Sequence, residues 1–151
     1  MKKKVIYTLG YQGININSYV ETLRHNGVGL VIDVREVAWS YKVGFSKAPL
    51  QAALNEAGIE YLHLKSAGNP SKYRKNSRTV KECLSKYRAF LGRNLERVDV
   101  LINEIEAAQS TGKAVCLTCF EKNPDECHRS ILLDYLTEQK PRTKIMHLHY
   151  S

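Results

Sequence analysis

Eleven residues near the C-terminus gather most of the groups able to do chemistry. They run Cys119-Phe-Glu121-Lys-Asn-Pro124-Asp-Glu-Cys127-His128-Arg129. Pro124 suits the start of a helix, which would put Cys127, His128 and Arg129 in its first turns. A thiol there feels the positive end of the helix dipole and two basic neighbours, which favours the thiolate. The free backbone N–H groups at such an end form an anion site, Arg129 can add a bidentate contact, and His128 can shuttle protons. The competing reading makes Cys127 a small buried hydrophobe and His128 a hydrogen-bonded pin between helix and loop. A metal site is not expected. In a strand Cys116 and Cys119, three apart, point to opposite faces, and adjacent Cys127 and His128 diverge on a helix. No cofactor is expected either.

A second group lies in Val31-Ile-Asp33-Val-Arg35. Strand alternation places Asp33 and Arg35 on one face, where they form an ion pair or meet one ligand. The Ile-Asp-x-Arg string is similar to one in rhodanese-type sulfurtransferases, whose lone cysteine opening a short anion loop has no clear counterpart here. Ligands in open parallel sheets bind beyond the carboxyl ends of the strands. That rule adds Gly10, Tyr11 and Gln12, then His63 and Lys65. The resulting candidates are Asp33, Glu121, Cys127 and His128 for catalysis, with Tyr11, Arg35, Lys65, Cys119 and Arg129 for ligand binding. Trp39, with Tyr41 and Phe45 nearby, either stacks on a ring of the ligand or covers the sheet edge.

The elements that must position these groups alternate between strands and helices. Val5–Leu9 is a short β-rich run closed by Gly10, and a helix follows, capped at Ser18, Asn15 or Asn17 and ended by Gly27. Val28–Val34 is a nearly continuous apolar run, as in a parallel strand buried on both faces. Ser46 and Pro49 open a helix that Gly58 ends, and Ile59–Leu64 is a third strand. Residues 66–79 read as irregular. Apolar residues then recur every three or four positions from Val80 to Ile105, in one long helix or in two broken at Gly92. Ala114–Cys119 is a strand, a helix runs from Cys127 to about Gln139, and Ile145–Leu148 is a fifth strand. Strands separated by helices predict a single-domain three-layer α/β/α sandwich over 1–151, Rossmann-like, with a mainly parallel sheet of about five strands.

The 151 residues suffice for one core, and a 43% hydrophobic, 25% charged composition is that of a globular chain. No apolar run is long enough to span a bilayer. The opening Met1-Lys-Lys-Lys4-Val-Ile-Tyr-Thr-Leu9 imitates a leader, but its apolar part is short and runs into a turn, so the expected compartment is the cytoplasm. Without an export signal the four cysteines read as thiols. The net charge is +8, and all of it lies between Lys65 and Arg97, which carry ten basic and two acidic residues. Such a segment suits a polyanion, with Lys72, Arg74, Lys75 and Arg78 as candidate nucleic-acid contacts. A solvated surface is the other reading.

These motifs together resemble the YeaO-like family of prokaryotic domains of unknown function, DUF488, from about Ile6 to Leu148. The resemblance is carried by Tyr7-Thr-Leu-Gly10, Val31 to Arg35, Gly44 to Lys47, Gly58 to His63, Gly68-Asn-Pro70 and, most specifically, Cys119 to Arg129. Family members often have His where this chain has Tyr11. The resemblance implies the three-layer sandwich and no reaction. Two functional classes follow. One is an enzyme-like domain holding an anionic ligand, a nucleotide or nucleic acid, over the strand ends. The other is a non-catalytic nucleic-acid-binding module that uses residues 65–97.

Overall fold

The computed structural model describes residues 4–150; Met1, Lys2 and Lys3, which open the leader-like stretch, lie outside the described residues. Five strands, β1 (Val5–Gly10), β2 (Val28–Asp33), β3 (Glu60–His63), β4 (Ala114–Cys119) and β5 (Lys144–His147), form one sheet in the order β3-β2-β4-β1-β5. Every pairing is parallel. The helices are α1 (Ile16–His25), α2 (Lys47–Glu56), α3 (Ser71–Lys75), α4 (Val80–Gly92), α5 (Glu96–Ser110) and α6 (His128–Gln139). None of the described helices is long and apolar enough to cross a membrane.

Strand alternation divides the core into two layers. Ile6, Leu30, Ile32, Val34, Val115, Leu117 and Cys119 face α4, α5 and α6. Leu9, Val31 and Cys116 face α1 and α2, where Tyr19, Leu23, Leu50 and Leu54 have no solvent exposure. Fully burying a side chain of this size is worth about 1.5–3 kcal/mol, so each face is sealed by several such terms. On the α1 face the Tyr19 hydroxyl donates to Thr118 Oγ1 (2.7 Å), which donates to the Leu9 carbonyl (2.7 Å), so the buried polar groups there are paired.

Three expectations meet local detail. Asn15, one of the three alternatives, caps α1, its side chain accepting from the Ser18 N–H at 2.8 Å. The long apolar repeat is two helices, with Gly92 the last residue of α4. Residues 66–79 are more ordered than an irregular stretch. A 3-10 turn over Lys65–Ala67 and the five-residue α3 lie there, too short to show apolar periodicity.

The chain after β2 leaves toward α2 on one face, and the chain after β4 leaves toward α6 on the other. The carboxyl ends of these adjacent strands therefore flank a topological switch point, where open α/β sheets hold their ligands.

Candidate functional site

On the α1 side of that crevice, Asp33 is fully buried and Arg35 is 7% exposed. Asp33 Oδ1 accepts from the Arg35 Nε (2.9 Å) and backbone N–H (3.2 Å). Its Oδ2 accepts from Arg35 Nη2 (2.6 Å) and the Tyr61 hydroxyl (2.6 Å). The remaining Arg35 nitrogen, Nη1, donates to the Phe45 carbonyl (2.7 Å) and the Tyr11 hydroxyl (3.1 Å). Burial alone would lower the Arg35 pKa, but the hydrogen bonds and charge of Asp33 outweigh it and raise it. Burial, then the Asp33 charge, raise that of Tyr61. The pair therefore pins Tyr11, stacked on Phe45 at 4.5 Å, and the loop after β2 to the sheet.

On the α6 side the pairing of β1 with β4 continues past the strands. Tyr11 N–H donates to the Cys119 carbonyl (3.1 Å) and Gln12 N–H to that of Phe120 (2.8 Å). Gly10 permits this closure, because a Cβ there would lie 1.8 Å from the Glu121 carbonyl oxygen. The chain then makes a 3-10 turn over Pro124–Glu126, and Cys127 serves as N-cap of α6 rather than a residue of its first turn. Its sulfur accepts from the Arg129 N–H at 3.5 Å.

This turn folds Cys127 back over the end of β4, so its sulfur meets that of Cys119 in a disulfide. The expectation of four thiols is corrected on this point; Cys83 and Cys116 are free and buried. Cys116 faces the opposite side of the sheet from Cys119, as strand alternation requires. The ligand-type atoms that do converge are the sulfurs of Cys119 and Cys127 and a Glu121 carboxylate oxygen, all within 4.8 Å of one another. The metal set weighed from the sequence, Cys116-x-x-Cys119 with Cys127-His128, shares Cys119 and Cys127 with this one but leaves out Glu121, whose Cys-x-Glu spacing at the strand end is the visible signal.

Arg129 is 1% exposed, and its Nη1 donates to Cys119 Sγ and to the Glu121 carbonyl, both at 2.8 Å. Among the described residues it makes no ion pair. Burial lowers its pKa and raises that of Glu121. His128 Nε2 lies 2.6 Å from the Val34 carbonyl and must donate to it, which leaves Nδ1 as a bare acceptor 3.8 Å from Cys127 Sγ. Burial lowers the imidazole pKa to about 4, so the ring is neutral at pH 7.

A cavity of about 700 Å³ opens over both halves, with Cys119, Glu121, His128 and Arg35 in its wall. Trp39 and Tyr41, edge to face at 4.3 Å and both exposed, line it together with Lys42 and Arg74. Tyr11 and Gln12 also face it. Of the basic segment, Arg74 reaches this cavity, and Arg78 lines a smaller one of about 260 Å³ that shares Arg74, Glu121 and His128. Lys65, Lys72 and Lys75 are exposed and line neither. Asp33 and Arg129 lie behind the wall. Lys42 is not among the residues expected from the sequence. Trp39 and Tyr41 stand outside the expected site residues too, because an exposed loop gives no periodicity that says where it folds.

The fold and site define a doubly wound parallel α/β domain with a cysteine-, carboxylate- and histidine-lined cavity at its switch point. Residues 15–136 match the family described as Domain of unknown function DUF488, and the chain belongs to that family. No curated protein matches it. Among solved structures it is similar to a putative phosphatase (DUF442) from Shewanella putrefaciens CN-32, at 14% identity with a TM-score of 0.51. The match covers 89% of this chain and 64% of that one, and the likeness is one of fold.

Proposed function

We propose that this is an enzyme-like domain that binds an anionic ligand carrying an aromatic ring, a nucleotide or the end of a nucleic acid, over the carboxyl ends of β2 and β4. The observation that carries this reading is the composition of the 700 Å³ cavity. Cationic Lys42 and Arg74 and the exposed Trp39–Tyr41 pair stand at its rim, above a wall of Glu121, His128 and Cys119. A phosphate would be held by Arg74 and Lys42, and a base would stack on Trp39. Arg35 and Arg129 support the site from within, since their side chains are already hydrogen-bonded to protein groups. Proton transfer falls to Glu121, whose carboxyl burial raises above its ordinary pKa, and to the bare His128 Nδ1. Asp33 acts by positioning Arg35 and Tyr61.

The test is a titration of the 15N-labelled protein with adenosine monophosphate and, separately, inorganic phosphate. The expected result is saturable shifts at Gln12, Lys42 and the Trp39 indole, with affinity reduced about tenfold by Arg74→Ala, as for loss of a hydrogen bond to a charged group. No shifts at millimolar nucleotide would refute the reading. The second reading, a non-catalytic nucleic-acid module, is favoured by the exposed Lys72, Arg74 and Lys75 on α3 beside the cavity. It requires oligonucleotide binding whose log K falls by about 0.9 per neutralised phosphate against log salt and that survives Trp39→Ala.

A further inference from the structure

We propose that, with its two thiols reduced, the Cys119–Glu121–Cys127 cluster binds one thiophilic divalent cation of the zinc class. The proposal goes beyond anion binding and does not depend on it. Its first support is the convergence of two sulfurs and a carboxylate oxygen within 4.8 Å, drawn from the end of a strand, the loop after it and the N-cap of a helix. Cys119 and Glu121 line the cavity; three protein ligands with a fourth position open is the pattern of a catalytic zinc site, and two thiolates select a soft ion.

The second support is the backbone spacing. The Cα atoms of Cys119 and Cys127 are 7.5 Å apart. Disulfides usually span about 4.4–6.8 Å between Cα atoms, most often near 5.5–6 Å. Two thiolates at about 2.3 Å from one tetrahedral ion stand roughly 3.8 Å apart, about 1.7 Å more than bonded sulfurs. A Cα spacing beyond the usual disulfide range suits two thiolates standing that much further apart on one ion.

The third support is charge. Arg129 is buried, makes no ion pair among the described residues, and presses Nη1 on Cys119 Sγ. A buried guanidinium without an anion is costly. Two thiolates and the Glu121 carboxylate carry three negative charges, which balance a divalent ion and Arg129 together. His128, its Nε2–H held by the Val34 carbonyl, turns Nδ1 to within 3.8 Å of Cys127 Sγ and brings no further positive charge to the cluster.

Binding and disulfide formation exclude one another. A dithiol or phosphine reductant supplies two electrons to the Cys119–Cys127 bond and is itself oxidised, yielding two thiols. The incoming ion then displaces their two protons and takes both thiolates. The oxidised chain has no thiolate to offer, so occupancy follows the redox state of the pair.

The experiment is a cobalt(II) titration of full-length protein, first stripped with a chelator and reduced with a phosphine. The expected result is one ion per chain, a near-ultraviolet thiolate-to-cobalt band, and displacement by zinc. Cys119→Ser and Cys127→Ser abolish the band, Glu121→Gln weakens binding at least about tenfold, Cys83→Ala changes nothing, and protein with the disulfide intact takes up no ion. Iodoacetamide labelling of wild-type protein serves where a variant fails to fold. Bound zinc shields Cys119 and Cys127 while leaving Cys83 and Cys116 at their metal-free rate. Absence of the band from reduced, folded protein, or shielding of other cysteines, overturns the proposal. The nucleotide titration stands or falls separately.

Discussion

Replacing Asp33 by Asn is the sharpest test of what the Asp33–Arg35 pair does. The change keeps shape but removes the charge and puts an N–H₂ where an oxygen accepts from Arg35 Nη2 and the Tyr61 hydroxyl, both at 2.6 Å. Whichever way the amide turns, one donor faces another, and a guanidinium 7% exposed loses its counter-charge. Removing one partner of a buried ion pair costs about 3–5 kcal/mol. A domain of this kind holds some 5–15 kcal/mol in all, so the variant forfeits about a fifth or more of its stability and melts roughly 10 °C lower. Urea denaturation followed by circular dichroism measures the loss. The double variant Asp33→Leu, Arg35→Met leaves no orphaned charge, and it should recover about 2 kcal/mol or more relative to Asp33→Asn. A single-variant cost under about 1 kcal/mol, or a double variant as unstable as the sum of its parts, would refute the structural role. It would also return Asp33 to the list of acid–base candidates.

Two further outcomes follow from the same geometry. His128, with its pKa near 4 against 6.5 when unfolded, stays neutral in the fold while the unfolded chain takes up a proton. Its contribution is therefore complete above pH 6.5 and is lost as pH falls toward 4. The loss is about 2–3 kcal/mol by pH 4.5, partly offset by Glu121, whose raised pKa works in the opposite sense. Urea midpoints of the oxidised, metal-free protein at pH 7 and 4.5 should show this slope, and it should be smaller in His128→Gln; equal slopes would contradict a buried neutral imidazole. Gly10→Ala drives a Cβ to 1.8 Å from the Glu121 carbonyl oxygen and should cost about 3 kcal/mol while taking that carbonyl from Arg129 Nη1. A thermal melt within 2 °C of wild type would mean that the loop yields more easily than its hydrogen bonds suggest.

The fold was legible because its signals are local and periodic. The apolar run at β2 reads as a strand buried on both faces, and the two core layers flank it. Ala114–Cys119 needed no correction at either end. The site was legible only as an inventory. Alternation put Asp33 beside Arg35, but the sequence had no way to say that Tyr61 and Phe45 would use their remaining hydrogen-bonding capacity. The approach of Cys127 to Cys119 depends on a three-residue 3-10 turn and on a glycine in a neighbouring strand. Neither carries a periodic pattern. The basic segment was visible as charge, yet its polarity alone could not separate Arg74, which lines the cavity, from Lys72 and Lys75, which do not.

The two buried arginines explain why the halves of the site differ in character. Arg35 has a carboxylate bound through two of its nitrogens, and the assembly around it is closed, with each of its nitrogens and both Asp33 oxygens in use. Arg129 sits on the other face of the sheet with carbonyls and a sulfur as partners, and its Nε has none among the described residues. Hydrogen bonds to neutral groups do not offset the desolvation of a full charge. The α1 half is thus self-contained and serves as a frame, whereas the α6 half is short of negative charge. In the proposed metal-bound state the thiolates of Cys119 and Cys127 supply it, and the disulfide removes that option. The ion proposed at Cys119, Glu121 and Cys127 therefore has a place only in the reduced state, where its ligands carry the charge that Arg129 lacks in the oxidised one.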